Sequence, residues 1–571
     1  MREVDFFGLR RVAATRWDAL AIVLVIGLVA FLAHTSRGLL QPLAQLEASP
    51  LSLDPSHLPE YAARTTLRML AGLALALVFA LGYATWAAKN ERAGKLLIPI
   101  LDVLQSVPIL GFISITVVFF MSLAGGRVLG AELAAIFAIF TSQAWNMAFS
   151  VYQSLRTVPS ELREAADSFR LTPWMRFWRL EIPFAMPGLV WNMMMSMSGG
   201  WFFVVAAEAV TVGDTTFSLP GVGTYISLAI ARRDLTAIGW AIATMLVVIL
   251  VYDQILFRPL VAWMDRFRFE QDPGVEAPRS WALAALRRSR LAAAVSSGLG
   301  TALRWSERKP RRAAAAPTAA PARSGRRGLL VLALVLAALA FALRHIALLL
   351  IEETPLAAAL EVLGLAVRTM LRVFVLTALA SLVWVPIGVW VGLRPRATAV
   401  VQPIAQFLAA FPANLLFPLA VYGIVAWRLD ANLWLSPLMI LGTQWYILFN
   451  VIVGAAALPS ELRYAAENLH VGGRLWWRKV ALPGVFPYYV TGVITASGGC
   501  WNASIVAEVA SWGDTKLEAR GLGSYIADAT VAGDFHRVAL GIATMSLFVV
   551  VINRVLWRPL YDYAERRFRL A

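Results

Sequence analysis

Residues 159–170 read PSELREAADSFR, and residues 459–470 read PSELRYAAENLH. Seven of the first eight letters agree at an offset of 300 residues, in a chain of 571 residues that is 59% hydrophobic. Greasy segments resemble one another by composition, but they do not keep polar letters in register. The register extends far beyond this stretch: Trp145, Phe149, Pro183, Pro187, Gly199, Trp201, Glu208, Gly213, Asp214, Thr215, Gly221, Gly223, Tyr225, Asp234, Arg258 and Pro259 all recur 300 residues later. Upstream, Arg64, Arg68 and Pro108 recur as Arg368, Arg372 and Pro412 at an offset of 304, so one short length difference between about 108 and 145 reconciles the two values. A whole unit has been duplicated.

Composition sets the class. With 15% charged residues and 21 tryptophans, the apolar surplus exceeds what a soluble core hides. Runs of ~20 apolar residues, long enough to cross a hydrocarbon slab, recur along the chain without the alternation of β-barrel strands. The reading is an all-α polytopic membrane protein of two tandem parallel six-helix units, about 12 transmembrane helices in all. The expected spans are 18–36, 66–88, 96–121, 131–152, 186–210 and 236–258, then 328–344, 369–393, 401–427, 432–455, 485–510 and 536–558. The first unit covers 1–264, with its core from about 60, and the second covers 328–571, with its core from about 365. Between them, 265–327 is rich in Arg, Ala and Pro, the composition of a flexible linker. Its stretch WALAALRRSRLAAAVSSGL suits a basic amphipathic helix on a membrane surface.

The net charge of +16 is concentrated in that linker, with about 14 basic against about 5 acidic residues. A basic block beside apolar spans is the positive-inside signal rather than a nucleic-acid surface, so both termini and the linker are expected in the cytoplasm. The basic head at Arg2, Arg10, Arg11 and Arg16 precedes an apolar run without a small-residue cleavage site, and reads as a retained first helix. Six spans per copy return the chain to its starting side, so the copies are parallel, related by an axis along the membrane normal. One cysteine and five scattered histidines leave no disulfide framework and no multi-ligand metal site.

The doubled segment then lies on the cytoplasmic side. Pro159-Ser160 opens a helix-compatible run, with Ser160 as its cap. Ala165 and Ala166 leave a bare patch for a close neighbour, and WMRFWRLEIP follows until Pro183 ends the run and Pro187-Gly188 leads into the next span. Two such handles favour docking to a two-fold cytoplasmic partner over simple interfacial anchoring.

These residues carry a resemblance. EAADSFRLTPWMRFWRLEIP resembles the EAA signature of ABC importer permeases, in which EAA is followed by Gly and later by Ile-x-Leu-Pro. Glu164, Ala165, Ala166, Leu180, Ile182 and Pro183 match it in copy one, and Ala465, Ala466, Val480, Leu482 and Pro483 in copy two. The signature's glycine is replaced by Arg170 and His470, and its leading Glu by Tyr464. Either the turn differs, or Gly472 and Gly473 take over in copy two. The resemblance covers nearly the whole chain except the linker. It implies a MetI-like type I importer fold with both pore halves in one chain, in the nitrate/sulfonate/bicarbonate branch. It further implies a multi-pass protein of the bacterial inner membrane. Each EAA segment, with Glu161, Glu164, Ala165, Ala166, Arg170 and Pro183 in one copy and Glu461, Tyr464, Ala465, Ala466, His470 and Pro483 in the other, would couple to an ATP-binding cassette subunit. Two copies of that subunit would use the ATP, this chain binding no cofactor, and an extracytoplasmic solute-binding protein would deliver the solute.

A second repeated block, WFFVVAAEAVTVGDTTFSLPGVGTYI and WNASIVAEVASWGDTKLEARGLGSYI, supplies gate candidates. Glu208 and Glu508 sit near the ends of their spans, where an acid needs a partner. If the substrate is an anion, carboxylates in its path repel it, so they read as gate or scaffold residues accepting hydrogen bonds from the Gly-rich loops in preference to direct substrate contact. Gly213, Asp214, Gly221 and Gly223, with Gly513, Asp514, Gly521 and Gly523, read as a turn and a short helix. Trp201, Trp501, Asn192 and Asn502 are candidates for the gate or translocation path, against the plainer readings of packing for the tryptophans and helix-joining amides for the asparagines; Arg232 and Arg233 read as interface anchors, ahead of attracting an anion or seating a binding protein.

No GxxxxGK[ST] phosphate loop occurs, so the energy comes from another chain or from an ion gradient. A gradient-driven transporter with parallel repeats is the competing class, and is expected to show broken mid-membrane helices and polar clusters for coupling ions. A membrane enzyme is a third class, and no repeated His, Cys or acid constellation suits it.

Overall fold

The computed structural model describes residues 51–212, 215–264, 280–288 and 356–568, with a few isolated positions elsewhere. The expected spans 18–36 and 328–344, most of the linker, and Gly213 and Asp214 lie outside the described residues. The chain divides into two compact units: a larger one from 42–152, 192–250 and 340–571, and a smaller one from 1–41, 153–191 and 251–339.

The helices of copy one are α1 (Leu58–Lys89), α2 (Glu91–Ser106), α3 (Ile113–Leu123), α4 (Val128–Arg156), α5 (Ser160–Ser168), α6 (Ile182–Glu208), α7 (Val222–Ala231) and α8 (Leu235–Tyr252). The linker contributes α9 (Trp281–Arg288). Copy two contributes α10 (Leu356–Gly392), α11 (Pro395–Ala410), α12 (Phe417–Ala426), α13 (Trp445–Ala456), α14 (Ser460–Asn468), α15 (Leu482–Ala507), α16 (Leu522–Val531) and α17 (Phe535–Ile552). Among the described residues seven helices are long and apolar enough to cross a membrane, or nine when two bent pairs each count once. The chain is an all-α polytopic membrane protein built from a tandem repeat.

Three expected spans are not straight. Residues 96–121 split into α2 and α3, and 401–427 into α11 and α12, bent by 75°. Residues 432–455 bend by 45° before α13. Proline causes the first two breaks. Val107 (ψ 126°) and Phe411 (ψ 128°) are extended immediately before Pro108 and Pro412, because a proline ring disfavours the helical conformation in the residue it follows.

Pro183 does not end its run. The helix continues from Pro173 to Glu208 through Pro183 and Pro187. It does so by widening into a π turn at Phe177–Glu181. Three more π turns occur at Asp253–Phe257, Trp477–Ala481 and Asn553–Trp557. Each ends two residues before a proline: Pro183, Pro259, Pro483 and Pro559. A proline lacks the N–H for the carbonyl four residues back and crowds it, and an extra residue in the preceding turn relieves both problems.

The gate segments contain more than a turn. Copy one forms a hairpin of β1 (Ala209–Val212) and β2 (Thr215–Ser218), and copy two one of β3 (Val509–Trp512) and β4 (Thr515–Glu518). Both are antiparallel, with Val212 opposite Thr215 and Trp512 opposite Thr515, and in copy two Gly513 and Asp514 form the two-residue loop. Gly513 takes φ +57° there, the left-handed backbone that such tight loops need. In the larger unit β1 packs on α16 and β3 on α7, so each hairpin leans on the other copy's helix. Both hairpins therefore lie at the same end, as parallel copies require.

Candidate functional site

The two doubled polar segments fold alike. Helices α5 and α14 each begin directly after a proline, with no side-chain cap at either N-terminus. Ser160 is the first helical residue, not the cap expected of it, because Pro159 and Pro459 hold the extended entry conformation themselves. Glu161 and Glu461 occupy the first turns, where the helix dipole favours an acid. Arg163 donates from Nη2 to the Leu155 carbonyl at 3.1 Å.

Each helix ends in a Schellman motif. The Leu171 N–H donates to the Ala166 carbonyl and Arg170 N–H to Asp167, while Val471 and His470 make the same pair with Ala466 and Glu467. Arg170 has φ 50° and His470 φ 53°, so the turn is retained without its glycine, and the alternative of a different turn is excluded. Gly473 (φ 57°) adds a second left-handed residue to copy two without replacing the first. Ala166 and Ala466 are buried; Ala165, Ala465, Glu164 and Tyr464 are exposed. At the C-caps Phe169 is 79% and Leu469 75% exposed. Pro183 and Pro483 sit inside the helices that follow, next to their π turns.

Glu208 and Glu508, the expected gate acids, are clamped. Glu208 is fully buried and accepts from Arg68 Nη1 at 2.7 Å and from the Gly223 N–H at 2.7 Å. Arg68 also holds Glu132 through two bonds of 2.7 and 2.6 Å and the Pro220 carbonyl at 2.9 Å. In copy two Glu508 accepts from Arg372 Nη1 at 2.9 Å, from Thr369 Oγ1 at 2.8 Å and from the Ser524 N–H at 3.1 Å. Thr65 and Thr369 accept from the Val222 and Leu522 N–H groups at the starts of α7 and α16. Gly221 and Gly521 lie so close to the two carboxylates that a Cβ at either would collide with them; Gly223 is similarly crowded by the Val205 carbonyl, and Gly523 by the Ser504 carbonyl. Sequence reading singled out the acids but not their partners, although Thr65 and Arg68 recur with the 304 offset as Thr369 and Arg372. Glu132 has no acidic counterpart: the matching position is Asn432, whose Oδ1 accepts from the Arg520 N–H at 3.0 Å.

Arg233 is no mere interface anchor. Its Nη2 lies 3.0 Å from Asp514 Oδ2, and the Gly513 N–H donates to the Ile230 carbonyl at 3.1 Å. The tip of one hairpin is thus fastened to the end of α7. Position 533, equivalent to Arg233, is glycine, so the Arg233 side chain has no counterpart there.

In the larger unit, a cavity of about 190 Å³ opens between the copies. Pro108, Ile109, Phe411 and Ala413 from the broken spans line it, with Trp501 and Asn502 from α15. Asn502 Oδ1 accepts from the Ile109 N–H at 2.7 Å, a donor freed by the Pro108 break that hydrocarbon leaves unsatisfied. Trp201 is buried, and neither it nor Asn192 lines the cavity. Broken spans were the mark expected of the gradient-driven class, so their presence removes that criterion. Among the described residues no cluster of three acids, His or Cys could hold a metal ion.

The family model described as the binding-protein-dependent transport system inner membrane component matches residues 72–266 and again 384–570. The glycine betaine/carnitine transport permease protein GbuB of Listeria monocytogenes is 30% identical over 30% of this chain and 55% of its own length. The bicarbonate transport system permease protein CmpB of Synechococcus elongatus is 28% identical over 32% of this chain and 62% of its own. The nitrate import permease protein NrtB of Leptolyngbya laminosa is 27% identical over the same shares. These matches each span less than two thirds of the relative.

Proposed function

Since the chain belongs to the family of binding-protein-dependent transport system inner membrane components, we propose that it is the permease of an ATP-driven importer and carries both halves of the pore. The observation that carries this reading is the pair α5 and α14. Each is a short polar helix with a buried alanine, a left-handed C-terminal residue and a large exposed apolar side chain beside it. An ATP-binding cassette subunit would seat each helix in a groove, two copies serving the two handles. Closure of the ATPase pair would move the handles, and the handles would open the clamped gate. ATP is used by that partner, and this chain binds none. Both termini and both handles lie in the cytoplasm, and the hairpins face a solute-binding protein outside the bacterial inner membrane.

The solute is a small anion of the nitrate, sulfonate or bicarbonate class. The names of CmpB and NrtB support this, and GbuB marks the betaines as the nearest competitors. Co-purification tests the assembly. Phe169→Asp with Leu469→Asp should abolish capture of the cassette subunit while membrane insertion persists. Transport that continues without any ATPase would instead support the gradient-driven alternative.

A further inference from the structure

We propose that the linker helix α9 is a docking surface for anionic lipid headgroups, holding the linker against the membrane beside the last span of copy one. The inference goes beyond the importer reading and needs only the membrane class.

Ser280 starts the helix. Its Oγ accepts from the Leu283 N–H at 3.2 Å and its carbonyl from the Ala284 N–H at 3.1 Å. Within the smaller unit α9 packs against Arg258–Met264, the end of the spanning helix Leu235–Met264. Ala282 is buried, whereas Trp281, Ala284 and Arg288 are exposed. At about 100° of turn per residue these three share one stripe of the helix, with an indole at one end and a guanidinium at the other.

A side-chain bond sets the height of that stripe along the span: Trp281 Nε1 donates to Gln254 Oε1 at 3.1 Å. Gln254 adjoins Ile255, which with Val251 is apolar and about half exposed, as the lipid-facing residues of a span are. One turn further on, Arg258 pairs with Asp253 at 3.0 Å, and lipid-facing side chains give way to polar ones. The indole therefore lies where hydrocarbon meets headgroups, the level that tryptophans favour.

Charge names the occupant. Residues 279–312 contain nine Lys or Arg and a single acid, Glu307. Arg287 and Arg288 close α9, where the helix dipole favours cations. A basic helix held at headgroup level gains from anionic lipid through each cation near the surface and through its apolar side chains. A protein partner would meet the same face without any dependence on lipid charge.

The test uses the full chain in vesicles, with Ala284→Cys carrying an environment-sensitive fluorophore; the native Cys500 is wholly buried and does not compete. The vesicles are phosphatidylcholine alone or phosphatidylcholine mixed with phosphatidylglycerol, each with a lipid spin-labelled at the headgroup as quencher. Quenching should increase with phosphatidylglycerol. Arg287→Gln, Arg288→Gln and Arg290→Gln combined should abolish that increase, and lysine at the same positions should restore it, because charge is what the lipid reads. Equal quenching in the two lipids overturns the proposal, and so does an increase that survives the glutamine changes. Loss of the increase in the lysine variant overturns it too, since the cause is then the helix and not its charge. A fluorophore shielded only by added cassette subunit, whatever the lipid, assigns the face to a protein and has the same consequence. Failure of the importer reading shows separately, as loss of cassette capture by the unaltered chain, and leaves the lipid response intact.

Discussion

Arg68 and Glu208 meet through a 2.7 Å bond between two side chains that are 4% and 0% exposed. The same guanidinium reaches Glu132 and the Pro220 carbonyl, so one residue on α1 ties together α4, the end of α6 and the loop that leads into α7. Removing it strands two buried carboxylates. Arg68→Ala should lower the unfolding free energy by about 3–5 kcal/mol, the usual loss on breaking a buried pair. Arg372→Ala, which strands one acid and starts from a guanidinium that is 15% exposed, should cost less. Thermal unfolding of the purified chain checks both, and equal losses would argue against the triad.

Gly221→Ala and Gly521→Ala should each loosen the gate, since the added methyl group occupies the space of a clamped carboxylate. We expect the chain to insert but to lose several degrees of thermal stability, with faster proteolysis at the hairpins. Resistance equal to that of the unaltered protein would show that the carboxylates retreat freely.

Arg170→Gly should stabilise the protein by about 1 kcal/mol, because a non-glycine residue at φ 50° is strained. His470→Gly should act alike. A drop in the unfolding midpoint for both would mean that the side chains make contacts outweighing the strain.

Asn502→Ala leaves the Ile109 N–H without its acceptor. The expected cost is about 1–3 kcal/mol, that of one unsatisfied buried donor. Exchange of the Ile109 amide should also accelerate, which separates this cause from a general loss of packing.

Arg233 and Asp514 pair at 3.0 Å, but Asp514 is fully exposed and Arg233 half exposed. A double-mutant cycle should therefore find weak coupling that fades as salt is raised. The Gly513 backbone bond to Ile230 is the sturdier half of this contact.

Much of this was legible in the letters. The register at 300 residues exposed the duplication, because only a copied unit keeps Pro183, Glu208 and Gly221 at a constant distance from their partners. The π turns were readable in principle from the four prolines that follow them. In the sequence Pro183 reads as a stop, since its missing N–H suggests an end before it suggests a wider turn. The hairpins escaped because four-residue strands such as Ala209–Val212 are too short to show a pattern beside long apolar helices.

Sequence by itself determined the membrane class, the repeat and the two polar handles, because hydropathy and register are properties of residues counted along one chain. Only the tertiary structure decided which residues become partners. Arg68 finds Glu208 across 140 positions and Asn502 finds Ile109 across 393, and the cavity is walled where the unlike halves face each other. Such pairings follow from which groups lose water together, and linear spacing carries no record of that.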